Sequence, residues 1–426
     1  MCSAHTSTGT ATITDPIERL STLIERVHTD TPRARSAINL VPSENRMSPT
    51  AHAMLGTDYS NRYFFNEALT GVWEFRGGEA VAELEIAGRQ AFSRLACAEY
   101  VNLRPLSGLN AMMIALSGLG GLPGHTVVSI SPASGGHYAT GAVITRLGYR
   151  WASVDCTRGS VDLAALEQIL TDRAVSLVYL DVQNSRHRLE VGAVAELLVR
   201  YPGVRLHVDI SHTLGLVLGG AHANPLDHGA GSVGGSLHKS FPGPHHGMLF
   251  TRDGAIAEML REAQYVLVSS HHFGHTLASA VTALEFEHYG RGYAHAVLDN
   301  ARILAAALTE YGFDVPGAGS GFTDTHQVWV RLDDAAGVSD VLAEWGIRVN
   351  IQSDLPDCPG PMWRLGTAEP TVLGADGAEM GELARILADA RDGHTRRGRD
   401  AAQGLRDRIG IRPWWSRTGT EAGAAS

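Results

Sequence analysis

The chain has 426 residues, of which 44% are hydrophobic and 19% are charged, and its net charge is -10. This composition is typical of a soluble globular enzyme; it excludes a largely disordered chain and argues against general affinity for nucleic acid or anionic membrane. Cys2, Cys97, Cys156 and Cys358 show no metal-ligand spacing, which predicts reduced thiols in a cytoplasmic protein. Residues 1–14 lack the pattern of a signal peptide, and no apolar run is long enough to cross a bilayer.

In chain order, the first predicted element is a helix from Pro16, with an apolar stripe of Ile17, Leu20, Ile24 and Val27. From Ile38 to about Tyr289, short apolar runs alternate with helical patterns. The predicted strands are 100–103, 126–130, 176–180, 205–210 and 247–250, and helices are predicted at 111–119 and 162–170. Strands that alternate with helices predict an α/β fold with a mostly parallel sheet covered on both faces.

A long helix at 289–312 is predicted to lead into a smaller α+β domain. The elements predicted there are strands at 327–332 and 347–350 and helices near 339–345 and 379–391. The predicted organisation is therefore an N-terminal tail and arm helix (1–37), a large domain (38–289), a small C-terminal domain (290–395) and a basic C-terminal tail (396–426). We expect the last of these to be solvated or packed against a partner.

Lys239 is the only lysine among 35 lysine and arginine residues. A lysine can lose its proton and attack an aldehyde, whereas a guanidinium cannot. Retention of one lysine in a chain that otherwise uses arginine therefore predicts a Schiff-base lysine. The alternative is a lysine left by chance on a solvated loop.

Asp209 ends the apolar strand that begins near Leu206, and His212 follows it. Open α/β sheets bind ligands at the carboxyl ends of their strands. A carboxylate one strand before a Schiff-base lysine fits an aldehyde cofactor with a pyridine nitrogen, and pyridoxal 5'-phosphate is such a cofactor. The alternative is that Asp209 caps a helix.

Two further segments follow predicted strands. Ser107 and Gly108 open an apolar helix, where backbone N–H groups and the helix dipole favour a phosphate. His137 follows Gly135-Gly136, where its ring would lie against a planar cofactor. The alternative for His137 is a tight turn with a satisfied imidazole.

From about Ile38 to about Arg391, the chain resembles fold-type I pyridoxal-phosphate enzymes of the serine hydroxymethyltransferase family. The motifs that carry the resemblance are, in order, VPSEN at 41–45, RPLSG at 104–108, GGH at 135–137, VDISH with GLV at 208–217, HK with GP at 238–244, and WRLGT at 363–367. Six collinear motifs make a chance match implausible.

The resemblance implies a role for each matched residue. Lys239 would form the Schiff base, Asp209 would pair with the pyridinium nitrogen, and His137 would stack on the ring. The cofactor's other contacts would come from Ser107, Gly108 and Ser236 at the phosphate, and from His212, His238 and Ser270. Arg364 and Ser43 would bind the α-carboxylate of the amino acid, because a planar guanidinium suits a carboxylate.

The same resemblance implies a homodimer with shared active sites. Tyr59 matches a tyrosine that reaches the active site of the adjoining subunit, and residues 269–271, including Ser270, match a phosphate-contacting loop from that neighbour.

The chain departs from the family pattern at several places, among them the following two. Asn61 stands where the family has an acid/base glutamate, and GPHHG at 243–247 replaces GPRGG. Asparagine cannot exchange a proton as a carboxyl group does, which argues against tetrahydrofolate-dependent one-carbon transfer. Glu67 and Glu74 are candidates for a replacement carboxylate.

These features predict an enzyme that cleaves or forms the Cα–Cβ bond of β-hydroxy-α-amino acids, with His137 as the base for the β-hydroxyl group. The preferred reaction is that of an L-threonine transaldolase or aldolase of specialised metabolism, which releases acetaldehyde and transfers the glycyl unit to another aldehyde. The alternative is a serine or α-methylserine hydroxymethyltransferase that uses tetrahydrofolate. An aminotransferase is a further option within the fold.

A hypothesis from a different class is a metal-binding protein that uses the histidines. The candidate ligands are His245, His246, His271, His272 and His275, but no carboxylate or cysteine completes a compact motif. The enzyme hypothesis, with no metal, is therefore preferred.

Overall fold

The structure is a computed structural model that describes residues 16–63, 69 and 76–417. The helices are α1 (Pro16–Ser36), α2 (Pro49–Ala53), α3 (Glu79–Ala96), α4 (Gly108–Leu119), α5 (Thr140–Arg146), α6 (Leu163–Asp172), α7 (Gly192–Leu198), α8 (Leu214–Leu218), α9 (Gly254–Leu267), α10 (Phe273–Glu310), α11 (Ala335–Glu344), α12 (Ala368–Val372), α13 (Gly377–Arg391) and α14 (Thr395–Arg408). The strands are β1 (Ile38–Asn39), β2 (Tyr100–Asn102), β3 (Thr126–Ile130), β4 (Arg150–Val154), β5 (Cys156–Thr157), β6 (Ser160–Val161), β7 (Val175–Asp181), β8 (Arg205–Asp209), β9 (Ser232–Ser236), β10 (Gly247–Thr251), β11 (Gln327–Arg331), β12 (Ile347–Arg348), β13 (Asn350–Leu355) and β14 (Cys358–Gly366).

The chain forms two compact units, one up to Ala37 and one from Ile38 onwards. The first contains α1, which follows the apolar stripe predicted from Pro16. The second contains all the sheets.

The central sheet of the second unit has seven strands in the order β2-β10-β9-β8-β7-β3-β4. β10 is antiparallel to both of its neighbours, and every other pair is parallel. All residues of β3, β9 and β10 are buried, because helices cover both faces of such a sheet. The predicted mostly parallel α/β sheet is confirmed.

Strand register brings three chain positions to one edge of this sheet. Asp181 at the end of β7 pairs with Asp209 at the end of β8, and Asp209 pairs with Gly234 in β9. Because these strands are parallel, their carboxyl ends meet at the same edge. Lys239 follows β9 by three residues and therefore lies near that edge.

A second, antiparallel sheet has the order β11-β14-β13. On β14, Trp363 and Leu365 pack into a hydrophobic core with residues of α10, α11 and α13. Side chains alternate along a strand, so Arg364 points to the opposite face.

The features of this architecture that differ from the predictions include a missed strand and the start of a helix. β9 was not predicted, because its sequence, Ser-Val-Gly-Gly-Ser, contains two glycines, which have low strand propensity. All five of its residues are buried in the sheet. The helix predicted from Tyr289 begins at Phe273. Its first half is buried on most sides, so it lacks the one-sided stripe by which an amphipathic helix is recognised.

The C-terminal segment also differs from the solvated or partner-packed tail that was expected. Within the described residues it forms α14, which buries Ala402 and Leu405. Trp414 is 2% exposed and packs edge-on against Tyr293 at 6.5 Å between ring centroids. The short apolar face of α14 could not be recognised in the sequence, because arginines make up much of this segment.

Among the described residues, the helices are either too short or too polar to cross a membrane.

Candidate active site

A cavity opens at the carboxyl edge of the central sheet. The predicted site residues that line it are Gly108, His137, Asp209, His212, Ser236 and Lys239. They come from three separate strand-to-helix or strand-to-loop connections and from the segment after β9. The fold therefore brings these six predicted residues together around one cavity.

The backbone around Lys239 is held by a side-chain network. The Asn45 amide donates to the Lys239 carbonyl at 2.7 Å and to the Tyr293 hydroxyl at 3.0 Å. That hydroxyl donates in turn to the Ser240 carbonyl at 2.8 Å. Asn45 belongs to the VPSEN segment, and its contacts show that this segment fixes the position of the lysine.

Burial lowers the pKa of Lys239 from 10.5 to about 8. The positive charge of Arg364 lowers this pKa further, while the negative charge of Asp209 opposes the shift. Desolvation disfavours an ammonium ion more than a neutral amine. A substantial fraction of the side chain is therefore a free amine, which is the nucleophilic form.

Both carboxylate oxygens of Asp209 accept hydrogen bonds. Tyr179 donates its hydroxyl proton to Oδ2 at 3.0 Å, and the Ser211 N–H donates to Oδ1 at 2.8 Å. Burial raises the pKa of Tyr179 well above its usual value, so the phenol remains a donor. Thr213 occupies the N-cap position of α8. The alternative in which Asp209 serves as that helix cap is therefore not supported.

The start of α4 forms an anion cradle with β9. Ser107 is the N-cap of α4, and its hydroxyl accepts from the Asn110 N–H at 3.1 Å. A Cβ on Gly108 would lie 2.0 Å from Ser236 Oγ and 3.1 Å from Ser236 Cβ, so a side chain here would displace the serine hydroxyl. The N-terminal N–H groups of a helix attract anions, and the serine hydroxyls add further donors.

His137 lies between β3 and α5, and its ring stacks on Tyr138 at 4.7 Å between centroids. Its Nδ1 accepts a long hydrogen bond from the Ala139 N–H at 3.3 Å. Burial lowers the pKa of His137, the Lys239 charge lowers it further, and Asp209 opposes both. The imidazole is therefore neutral at physiological pH and can accept a proton.

Arg364 is a buried cation whose hydrogen bonds go to neutral oxygens. Its Nε donates to Asn350 Oδ1 at 3.1 Å, and its Nη1 contacts both the side-chain oxygen of Asn184 and the Gln183 carbonyl. Burial lowers its pKa to about 10. No described carboxylate forms an ion pair with it, and an unneutralised buried cation favours an anionic ligand.

Ser43 lies in the segment beside the end of β14. The Gly366 N–H donates to the Leu40 carbonyl at 2.7 Å, and His326 Nε2 contacts the Pro42 carbonyl at 3.0 Å. The segment that carries Ser43 thus runs past the end of the strand that carries Arg364.

Six predicted site residues fall outside the lining of the cavity: Ser43, Tyr59, Ser107, His238, Ser270 and Arg364. His238 stacks on His245 at 3.8 Å between ring centroids. Tyr59 packs into a separate apolar cluster with Phe273, and Ser270 follows Ser269, whose hydroxyl lies 3.2 Å from the Tyr63 hydroxyl. The segments around Tyr59 and Ser270 therefore meet each other on one surface of the chain.

Three of the five histidines proposed as metal ligands, His246, His271 and His275, are desolvated by burial. His246 Nε2 contacts the Leu103 carbonyl at 2.7 Å, and burial lowers its pKa to about 3. Burial also lowers the pKa of His271 and His275. In the part of the chain that the structure describes, no three His, Cys, Asp or Glu side chains converge to hold a metal ion.

At the family's glutamate position, the Asn61 amide contacts Asp58 Oδ1 at 3.5 Å. Glu67 and Glu74 lie outside the described residues.

Sequence reasoning missed one carboxyl group of the cavity, Asp181. It ends β7 as Asp209 ends β8, and both line the cavity. The strand-end rule that identified Asp209 applies equally to Asp181, but the predicted strand stopped at Leu180.

Comparisons with known proteins agree with this geometry. The family model of serine hydroxymethyltransferase matches residues 18–387. An L-threonine:uridine-5'-aldehyde transaldolase from Streptomyces is 51% identical over 401 residues, which cover 92% of this chain and 97% of the relative. A serine hydroxymethyltransferase from Pyrococcus furiosus is 32% identical over 83% of this chain and 87% of its own length.

Among solved structures, an L-threonine transaldolase from Pseudomonas fluorescens in its internal aldimine state superimposes with a TM-score of 0.81. The two sequences are 26% identical, and the match covers 93% of this chain and 92% of the other. Both the predicted resemblance and the predicted fold are confirmed. The chain belongs to the serine hydroxymethyltransferase family and is a pyridoxal-phosphate-dependent enzyme of that type.

Proposed function

We propose that the chain is an L-threonine transaldolase that transfers the glycyl unit of L-threonine to a nucleoside 5'-aldehyde, with uridine-5'-aldehyde as the first candidate. One observation carries the proposal: Lys239, Asp209 and the anion cradle converge on one cavity in a chain 51% identical to a transaldolase of that name. The hydroxymethyltransferase alternative is represented by relatives that are only 32% identical.

The residues of the cavity fit pyridoxal 5'-phosphate. The close approach of Gly108 to Ser236 leaves no room for a side chain at the anion cradle, as a phosphate site requires. When bound, the cofactor withdraws electrons from the Cα atom of the amino acid. Lys239 would hold its aldehyde carbon, and Asp209 would hold a proton on its ring nitrogen.

Arg364 and Ser43 are proposed to bind the α-carboxylate of L-threonine. The two terminal nitrogens of a guanidinium match the two oxygens of a carboxylate. Asn350 and Asn184 already orient the Arg364 fork without neutralising its charge. The carboxylate of the substrate would supply the missing negative charge.

His137 is proposed to take the proton of the β-hydroxyl group as the Cα–Cβ bond breaks. Its acceptor nitrogen is Nδ1, which is engaged only by the 3.3 Å contact from Ala139. The lowered pKa keeps the ring neutral and ready to accept that proton. The same proton would then be returned when the new aldehyde is attacked.

Asn61 favours transaldolase chemistry over folate-dependent transfer. Its amide cannot replace the proton exchange of the family's glutamate, and it contacts Asp58. An acceptor aldehyde needs protonation of only one oxygen, which the proton held by His137 can supply.

The functional assembly is proposed to be a homodimer with shared active sites. Tyr59 and Ser270 lie outside the Lys239 cavity of their own chain. Their segments are joined by the contact between Tyr63 and Ser269. A two-fold interface would therefore carry both segments together to the cavity of the partner.

A cytoplasmic location is proposed from the thiols. Cys97, Cys156 and Cys358 are unpaired, and Cys97 is exposed. Unpaired exposed thiols are typical of a reducing compartment.

The reaction can be tested with L-threonine and uridine-5'-aldehyde, with and without tetrahydrofolate. We expect a nucleoside β-hydroxy-α-amino acid and an equal amount of acetaldehyde, both independent of folate, as measured by mass spectrometry and a coupled alcohol dehydrogenase assay. Lys239→Arg should abolish both products. Turnover of L-serine that strictly requires tetrahydrofolate would contradict the proposal.

The nucleophile can be tested on cofactor-free protein with an amine-acylating reagent, because the chain has only one lysine. We expect the labelling rate at Lys239, followed by peptide mass spectrometry, to rise with pH and level off above about 8. At neutral pH, the lowered pKa raises the free-amine fraction roughly three-hundredfold over an ordinary lysine.

Asp209→Asn should move this midpoint to lower pH, because it removes the charge that stabilises the ammonium form. Arg364→Gln should move it to higher pH, because it removes a repelling charge. A rate that continues to rise towards the ordinary lysine pKa would show that the amine is not desolvated.

The carboxylate site can be tested with Arg364→Lys. Loss of the planar fork should raise KM for L-threonine roughly tenfold to a hundredfold and change kcat less, because it removes a charge-assisted contact made throughout the reaction. The matched control is Arg331→Lys on β11, whose side chain is exposed and pairs with Asp314 at 2.7 Å. An unchanged KM for Arg364→Lys would refute the assignment.

Shared active sites can be tested by co-expressing Lys239→Ala with Tyr59→Ala. Each variant alone should be inactive, and random pairing should restore about a quarter of wild-type activity, since half of the dimers then contain one intact site. Activity no higher than the sum of the separate variants would show that Tyr59 does not act across an interface.

A further inference from the structure

Asp181 is a buried carboxyl group with one unused oxygen. Its side chain is 2% exposed and lines the cavity of Lys239. Oδ2 accepts from Thr140 Oγ1 at 2.5 Å and from the His137 N–H at 3.3 Å. Oδ1 has no hydrogen-bond partner within the described part of the chain. A buried polar atom without a partner is costly, so Oδ1 is placed for a ligand.

Asp181 and Asp209 lie side by side, because they are paired residues of adjacent parallel strands. Both oxygens of Asp209 accept hydrogen bonds, whereas Oδ1 of Asp181 has no partner among the described residues. Two neighbouring carboxyl groups do not both ionise readily when one of them is buried. Burial, reinforced by the Asp209 charge, raises the pKa of Asp181 to about 8, against the opposing effect of the Thr140 hydrogen bond.

Among the described residues around Asp181, no cation contacts its free oxygen. Thr140 of α5 and the His137 backbone donate to Oδ2, and Met112 of α4 packs behind Thr140. Lys239 faces the same cavity but interacts with Asp209. A proton is therefore the natural partner of Oδ1, and a protonated carboxyl group becomes a hydrogen-bond donor.

The sheet order indicates which ligand atom Oδ1 would meet. On a pyridoxal ring, the phosphate arm and the 3-hydroxyl group lie on opposite sides of the axis from the ring nitrogen to the aldehyde carbon. Asp209 of β8 stands between Ser236 of β9, at the anion cradle, and Asp181 of β7. With the nitrogen at Asp209 and the phosphate towards Ser236, the 3-hydroxyl side faces Asp181.

We propose that Asp181 bears a proton on Oδ1 and donates a hydrogen bond to the 3-hydroxyl oxygen of the cofactor ring, which positions the ring between Asp209 and the anion cradle. This inference rests on the proposed function. Asp181 is a cofactor-positioning residue in addition to those matched by the family motifs.

The test compares pyridoxal 5'-phosphate with its 3-deoxy analogue, which lacks only the ring hydroxyl group. Dissociation constants are measured on cofactor-free protein for wild type, Asp181→Ala and Asp181→Asn. We expect wild type to bind the analogue roughly tenfold or more weakly, as the loss of one strong hydrogen bond predicts. Asp181→Ala should bind the two molecules about equally, while the amide donor of Asp181→Asn should retain part of the discrimination.

An independent readout is the infrared spectrum of the folded wild-type protein. A protonated-carboxyl band should disappear in Asp181→Asn and persist in Asp209→Asn. The discrimination between the two cofactors should also decline as pH rises through about 8, when Asp181 loses its proton.

Equal binding of the two cofactors by wild type, or unchanged discrimination in Asp181→Ala, would overturn the inference and leave the proposed function intact. If wild type forms no borohydride-reducible bond between Lys239 and either molecule, the proposed function itself fails. If Asp181→Ala does not fold, Asp181→Asn and the infrared band of wild type decide the question: absence of the band overturns the proposal.

Discussion

The site depends on one constraint, which is that an amine and a carboxylate are partly desolvated together at the edge of a parallel sheet. Burial pushes Lys239 towards its neutral form, and Asp209 pulls it back towards the ammonium form. In a medium of low polarity, both effects are larger than in water. The result is a lysine whose pKa of about 8 lies close to physiological pH, where a nucleophile is most useful.

Strand register brings the other residues of the site next to Lys239 and Asp209. The pairing of β7, β8 and β9 places Asp181 beside Asp209, and Asp209 beside the end of the strand that leads to Lys239. The second sheet adds a cation, Arg364, which β14 presents on the face opposite its apolar core. Asn45 couples the two regions, because its segment passes the end of β14 and its amide holds the Lys239 carbonyl.

Most of the large sheet and the centre of the site could be predicted from the sequence, because apolar runs ending in polar residues mark the edge of a parallel sheet. Lys239 was identified because it is the only lysine of the chain, and the motif around it supported that assignment. Strand β9 was not found, since its two glycines give no β-pattern. The role of Asn45 could not be derived either, because its partners Lys239 and Tyr293 are distant in the sequence. Pattern reasoning finds residues at strand ends, whereas hydrogen bonds between distant segments require the folded chain.

The charges of the site explain why Asp181 should be neutral. A phosphate and an α-carboxylate are both anions, and the cavity region offers two described cations to meet them, Lys239 and Arg364. The proposed role of Asp209 is to hold a proton on the ring nitrogen, and its negative charge offsets part of that positive potential. A second ionised carboxylate beside it would weaken the attraction for both anionic groups. A protonated Asp181 avoids that repulsion, and its Oδ1, which has no partner in the described part of the chain, can act as a donor to a ligand.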